Sequence, residues 1–238
     1  MHYLISLLLW VMMATILDAQ VPMNWGGKAG MNISQHYGTK GDEGDYKVQT
    51  GLRLGAVGGL WLDFAASEVL SLGFEALYSM KGSHQTITID HLEMNGVMEE
   101  LAKPAQMKVK YHLDYFELPV LLKLKILDTD HLGLNLVTGS AMSLKLRGHH
   151  ELDGTVWFPD DEGGFEALKI WEESALRNVN MFDFSFVYGG GLRVGRLPVC
   201  LEYRFTLGWD YLRLPTYQFF DPVELRNQTW SLLLSSEF

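Results

Sequence analysis

The sequence has one cysteine, seven prolines and, beyond its N-terminal twenty residues, no apolar run long enough to cross a membrane as a helix. A single Cys excludes an internal disulfide framework and any four-Cys zinc site. Without several apolar runs of about 18 or more residues, a helical multi-pass membrane protein is excluded. Basic residues are outnumbered: 19 Lys and Arg stand against 29 Asp and Glu, a formal charge of -10, and such a surface repels the phosphates of nucleic acid. Apolar side chains and glycine are plentiful instead, with 47% of the 238 residues hydrophobic and 24 of them Gly. That apolar share excludes a disordered chain, and the length suits one domain or at most two small ones.

Residues 1–19 read as a secretory signal peptide, which leaves 20–238 as one domain. Leu4, Ile5 and residues 7–11 supply an apolar stretch, and Ala19 a small residue before Gln20. The alternative is an uncleaved N-terminal anchor, since His2 replaces the usual Lys or Arg and Leu17 is bulky for its position. No Cys follows the leader, so a lipid anchor is not expected. The chain is expected to be exported.

Thereafter the dominant pattern is a period of two, which marks strands with two different faces. In residues 199–211, Val199, Leu201, Tyr203, Phe205, Leu207, Trp209 and Tyr211 oppose Cys200, Glu202, Arg204, Thr206, Gly208 and Asp210. Residues 182–195 and 132–147 repeat the scheme, the latter setting Leu132, Leu134, Leu136, Met142, Leu144 and Leu146 against Gly133, Asn135, Lys145 and Arg147. Weaker alternation spans 25–34, 52–62, 70–78, 116–126 and 228–238, which makes eight candidate strands. The phase breaks around Tyr111 to Asp114, where a bulge or an exit into a loop is expected.

The connectors alternate strictly between long and short: 37–48, 64–69, 83–108, 127–130, 148–180, 196–198 and 213–226. Up-and-down barrels of the outer membrane sort their connections this way, with short periplasmic turns and long outer loops. A soluble periplasmic barrel is the competing fold and gives no reason for the sorting. Near-helical spacing of Leu92, Val97, Met98 and Leu101, and of Phe165, Leu168 and Trp171, admits short helices at the outer end. The expected fold is all-β: an eight-stranded antiparallel up-and-down transmembrane β-barrel.

Energetics decide which face meets lipid. Hydrocarbon offers no water to backbone N–H and C=O groups, so a spanning sheet must close on itself. Each Lys or Arg on the lipid face near the midplane costs about 2–4 kcal/mol. The Phe, Leu, Tyr and Val faces carry essentially no charge and are expected to point outward. The opposite faces hold Arg53, Glu75, Glu117, Lys123, Arg193, Glu202 and Arg204, expected as a lumen charge network in which Arg193 and Arg204 pair with Glu75, Glu117 or Glu202. An eight-stranded barrel is just wide enough for side chains to fill. A plugged lumen follows.

The segments 51–55 (Gly-Leu-Arg-Leu-Gly), 72–82 with its Tyr-Ser-Met-Lys-Gly, 113–123 with its Tyr-Phe-Glu-Leu-Pro, 183–191 and 201–208 together resemble the PorT-like outer-membrane β-barrel proteins of Gram-negative bacteria. The resemblance implies an eight-stranded outer-membrane barrel and supplies no activity. PorT itself is associated with a secretion system, and no residue of this chain carries that role across. The C-terminus resembles the sorting signal read by the barrel-assembly machinery, with Trp230, Leu232, Leu234 and terminal Phe238 on one face and Ser236 departing from the pattern.

Candidate chemistry is sparse. His84, His91, His112, His149 and His150 fall near the outer rim, where some barrel enzymes place a base, but no triad-like arrangement accompanies them. His149, His150, Glu151 and Asp153 offer nitrogen and oxygen donors to a divalent cation, although ligand spacing alone is weak evidence and a solvated loop tip is the expected reading. Gly189, Gly190 and Gly191 lie inside a strand and open no helix, so they form no phosphate loop. No catalytic, cofactor or metal residue is expected. The sequence reads as a monomeric, non-enzymatic outer-membrane protein with a structural or surface-interaction role. Its expected contacts are outer-membrane lipid, lipopolysaccharide, the barrel-assembly machinery and a cell-surface or secretion-system partner. A narrow porin-like channel is the alternative, and a rim-sited enzyme acting on lipid A or peptides a third.

Overall fold

The computed structural model describes residues 22–38, 46–94, 97–159, 165–176, 180–195, 199–209, 212–213 and 224–237. Residues 1–19, expected as a signal peptide, Asp210 and the terminal Phe238 lie outside the described residues. Among the described residues eleven strands form one antiparallel sheet. They are β1 (Met23–Gly38), β2 (Tyr46–Gly51), β3 (Arg53–Ala65), β4 (Leu70–Met94), β5 (Val97–Asp128), β6 (Leu132–Pro159), β7 (Phe165–Ala175), β8 (Phe182–Val194), β9 (Val199–Gly208), β10 (Leu212–Arg213) and β11 (Glu224–Glu237). Eight of them close a ring in the order β1-β3-β4-β5-β6-β8-β9-β11, and β11 returns to β1 with Gly26 opposite Glu237 and Gly38 opposite Leu225. This is the up-and-down barrel that the alternation predicts. The remaining three extend it at one end: β2 pairs β4, β7 pairs β6, and β10 pairs β11. The short turns 66–69 and 129–131 both lie at the opposite end, beside Met23 and Glu237. In outer-membrane barrels that end faces the periplasm.

Sidedness follows the period of two. Leu118, Val120, Leu122 and Leu124 on β5, Leu134 and Leu136 on β6, Phe184, Phe186 and Tyr188 on β8, and Leu232 and Leu234 on β11 are all exposed on the outer wall. Their neighbours in sequence point inward and are buried, among them Glu117, Leu121, Val137, Asp183, Ser185, Val187 and Leu233. On β5 the exposed apolar band runs from Phe116 to Ile126. At about 3.3 Å per residue with a barrel's tilt, that is roughly the 25 Å of an outer-membrane apolar belt.

Above the band the arrangement inverts. Ile87, Ile89, Ala105, Val109, Tyr111, Leu113, Tyr115, Leu152, Val156 and Leu176 form an apolar core on the inward face of the sheet's extension. The outward face of the same strands carries His84, Lys108, Lys110, His112, His149, Glu151 and Asp153. Grease outside and charge inside suits hydrocarbon; the reverse suits water.

Three expectations are corrected here. Of the segments offered as capping helices, 92–94, 97–101 and 165–171 are strand continuations in β4, β5 and β7, because each of these strands finds a hydrogen-bonding partner. Among the described residues, the loops expected at 83–108 and 148–180 are mostly strand for the same reason. The phase break at Tyr111 to Asp114 is no exit into a loop: β5 runs straight through, and its apolar phase switches because the medium outside the wall switches. A bulge does occur there, since Asp114 opposes Arg147 while Tyr115 opposes Lys145. The extra residue turns Arg147 to the exposed outer wall, away from the lumen-facing set in which its spacing places it.

Candidate functional site

Two regions concentrate polar chemistry, the lumen and the outer wall above the bilayer. In the lumen β1, β4 and β9 bring Lys28, Glu75, Glu202 and Arg204 to one level. Arg204 donates through Nη1 and Nη2 to the two oxygens of Glu75 at 2.6 Å each, and its Nε donates to Glu202. Lys28 Nζ donates to Glu75 Oε1 and to Glu202 Oε2, both at 2.8 Å. Toward the periplasmic end, Lys123 donates to Asp63 Oδ2 at 2.8 Å, reaches Glu75 at 4.0 Å and lies 5.3 Å from the Trp61 ring centre. Three cations and three carboxylates thus balance within one cluster. Isolated buried charges are far too costly in such a site, and mutual pairing with added hydrogen bonds is what makes them tolerable.

Next comes a collar of small and medium apolar side chains, with Val57, Leu77 and Leu233 in one cluster and Leu121, Val137, Ala141 and Val187 in another. A cavity of about 20 Å³, room for one water, lies among the collar, Glu117 and Arg204. Toward the outer end lies a second polar layer. Lys81 pairs with Glu117, which also accepts from Ser143 Oγ at 3.3 Å. Asn32 donates to Ser79 Oγ at 2.8 Å and accepts from Ser231 at 2.7 Å. Asn227 donates to Asp183 at 2.8 Å and to the Tyr115 hydroxyl at 3.3 Å.

Of the residues expected in the lumen network, Glu75, Glu202 and Arg204 meet directly, Lys123 joins at the cluster's edge, and Glu117 belongs to the outer layer. Arg53 is buried and donates to the Lys81 carbonyl. Arg193 is displaced from the expected pairing. It lies at the periplasmic rim, donating to Asp128 at 2.5 Å and to the Gly195 carbonyl at 3.1 Å, because β8 reaches that end of the barrel before Arg193 can face a glutamate. Sequence reasoning missed Lys28, Asp63 and Lys81. Each lies on the inward phase of its strand, and that phase was the available signal. Trp230, Leu232 and Leu234 share the outward face of β11, opposite Ile33, Met31 and Ala29 of β1.

The outer wall holds the rim histidines. His112 and His149 are direct cross-strand partners, their rings stacked 4.4 Å apart with 3° between planes. His112 Nε2 stands 3.5 Å from Glu151 Oε1, and Lys110 Nζ 3.4 Å from Glu151 Oε2. Burial first, then the Arg53 charge, lowers the His112 pKa to about 4, so its ring is neutral at physiological pH. His149, Glu151 and Asp153 therefore stand on a strand wall and not at a solvated loop tip, and His150 points the other way, buried toward Tyr111. Beside them Gln106, Lys108, Asp153, Gly154, Thr155 and Trp157 line an open pocket of about 370 Å³. Trp171, opposite Asp153 on β7, is 71% exposed.

A closed antiparallel ring with an apolar exterior and an ion-paired interior is an outer-membrane β-barrel. The chain belongs to the family described as outer membrane protein beta-barrel domain, which it matches over residues 18–212. Its place is the outer membrane. No curated protein matches the chain. Among solved structures it is similar to Ail, the attachment invasion locus protein of Yersinia pestis, in complex with the heparin analogue sucrose octasulfate, at 13% identity and a TM-score of 0.36, covering 91% of this chain and 99% of that one. It is similar to the outer membrane protease OmpT from Escherichia coli at 12% identity and a TM-score of 0.37, covering 91% and 95%. An outer membrane channel from Pseudomonas putida F1 follows at 9% identity and a TM-score of 0.28, covering 93% and 97%.

Proposed function

We propose that this protein is a non-enzymatic, monomeric, PorT-like surface barrel: a lumen closed to solutes anchors it in the outer membrane, and the projecting extension makes its contacts. The observation that carries this reading is the extension itself. Strands β4, β5 and β6 have 25, 28 and 32 residues in the order β4, β6, β5, whereas a spanning strand needs about 9–11. The excess is folded into a sheet with its own apolar core and a polar outer wall bearing a pocket and an exposed Trp171. An extension built to that extent outside the bilayer suits a contact surface. The partner class is a cell-surface or secretion-system protein, together with lipopolysaccharide around the barrel.

A narrow porin is the competing reading, and planar-bilayer recording separates the two. The expected record is a quiet baseline, since two ionic layers and an apolar collar fill the lumen. Stable single-channel steps from the purified protein contradict the closed barrel. A pull-down from native membranes that loses its partner on Trp171→Ala supports the contact surface; an unchanged set of bound proteins counts against Trp171 as part of it.

A further inference from the structure

We propose that His112, His149 and Glu151 form a transition-metal site that clasps β5 to β6 on the outer wall above the bilayer. One ligand atom from each of the three lies within 4.8 Å of the other two. The backbone explains the convergence. His112 opposes His149 across the ladder, and Glu151 follows His149 by two residues on the same strand, so all three share the outward face. Directly opposed residues hold their Cβ atoms about 4.5–5.5 Å apart, a spacing from which two imidazoles can reach one ion. Tetrahedral zinc with bonds of about 2.0–2.2 Å sets its donors about 3.4 Å apart. The present spacings therefore close by about 1.4 Å at most, within reach of side-chain rotation that unstacks the rings.

Two further observations point to a cation here. Among the described residues, His112 Nε2 and His149 Nδ1 are both shielded from solvent and have no hydrogen-bond partner, Glu151 Oε1 standing 3.5 Å from the former. Shielded polar atoms of that kind are rare, and each costs free energy unless something binds it. In addition, Glu151 lies directly opposite Glu173 of β7. Like charges opposed across a ladder are destabilising, and a cation between β5 and β6 relieves them.

Two imidazoles and one carboxylate suit zinc, nickel or copper better than magnesium or calcium, which favour all-oxygen shells. Three protein ligands leave a fourth position open. His84 lies diagonally across the ladder from His112, since Gly82 opposes His112 and His84 opposes Lys110.

The test uses the full purified chain in detergent, carried without a histidine tag, titrated with zinc chloride by isothermal calorimetry. The expected result is one zinc per chain at micromolar affinity, weakened at least tenfold in both His112→Asn and His149→Asn. A His131→Asn variant at the periplasmic turn should bind as the native protein does. Circular dichroism of the three variants verifies that the barrel is intact, and both ligand positions lie on the outward face, off the apolar core. As a second readout, hydrogen exchange in residues 107–113 and 147–153 should slow on adding zinc. Absence of saturable binding below 100 μM zinc, taken as about tenfold above the expected range, overturns the proposal. So does stoichiometric binding that survives both substitutions, because the ion then sits elsewhere.

Discussion

Glu75 accepts from Arg204 and Lys28 at once and has Lys123 at 4.0 Å, so its carboxylate is the hub of the lumen cluster. Removing one partner of a buried pair leaves the others uncompensated, at a cost of about 3–5 kcal/mol. Glu75→Gln should therefore lower the unfolding free energy of the lipid-reconstituted barrel by that amount, read from urea unfolding followed by tryptophan fluorescence. Lys110→Gln breaks only the exposed contact with Glu151 and should cost under about 1 kcal/mol. At Gly82 the backbone adopts φ +144°, and a Cβ would lie 2.0 Å from the Tyr111 carbonyl oxygen. Gly82→Val should thus cost about 1–3 kcal/mol in backbone strain alone, measured by the same unfolding. Which charges sit inside was legible from strand phase, but which ones meet was not. Phase assigns a face, whereas pairing depends on height around the ring, and height put Arg193 beside Asp128 at the rim.

Strand β5 carries the element-scale lesson. Its 32 residues pass through two media without a break, exposing Phe116, Leu118, Val120, Leu122 and Leu124 in the lower part and burying Tyr111, Leu113 and Tyr115 in the upper. A sequence pattern records hydrophobicity, not direction, so a change of medium looks like a change of phase. That is why the eight ring strands were legible and their outer continuations were not. Shorter pieces such as β7 gave an ambiguous signal, because Phe165, Leu168 and Trp171 satisfy a helical spacing until a partner strand decides the matter. The account places the lipid boundary between Phe116 and His112. Leu122→Arg should cost about 2–4 kcal/mol, while Gln106→Arg, outward on the same strand above the boundary, should cost close to nothing in the same unfolding assay. Leu113→Ala, which empties part of the outer apolar core, should cost about 2–5 kcal/mol and speed proteolysis of the extension ahead of the barrel.

At the scale of the whole molecule, one closed sheet meets two solvents. Its lower part is an inside-out barrel, with ion pairs at the axis and apolar side chains toward lipid. Its upper part is a water-facing sheet with its own apolar core on the inward face. Site-directed fluorescence along β5 tests this most directly. In a Cys200→Ser background, single-cysteine variants at Leu118, Val120, Leu122 and Leu124 and at Gln106, Lys108 and Lys110 would be labelled with a small fluorophore and reconstituted into vesicles containing brominated lipid. The account predicts strong quenching at the first four positions and none at the last three. Quenching at Gln106, Lys108 and Lys110, or at none of the seven positions, would contradict it.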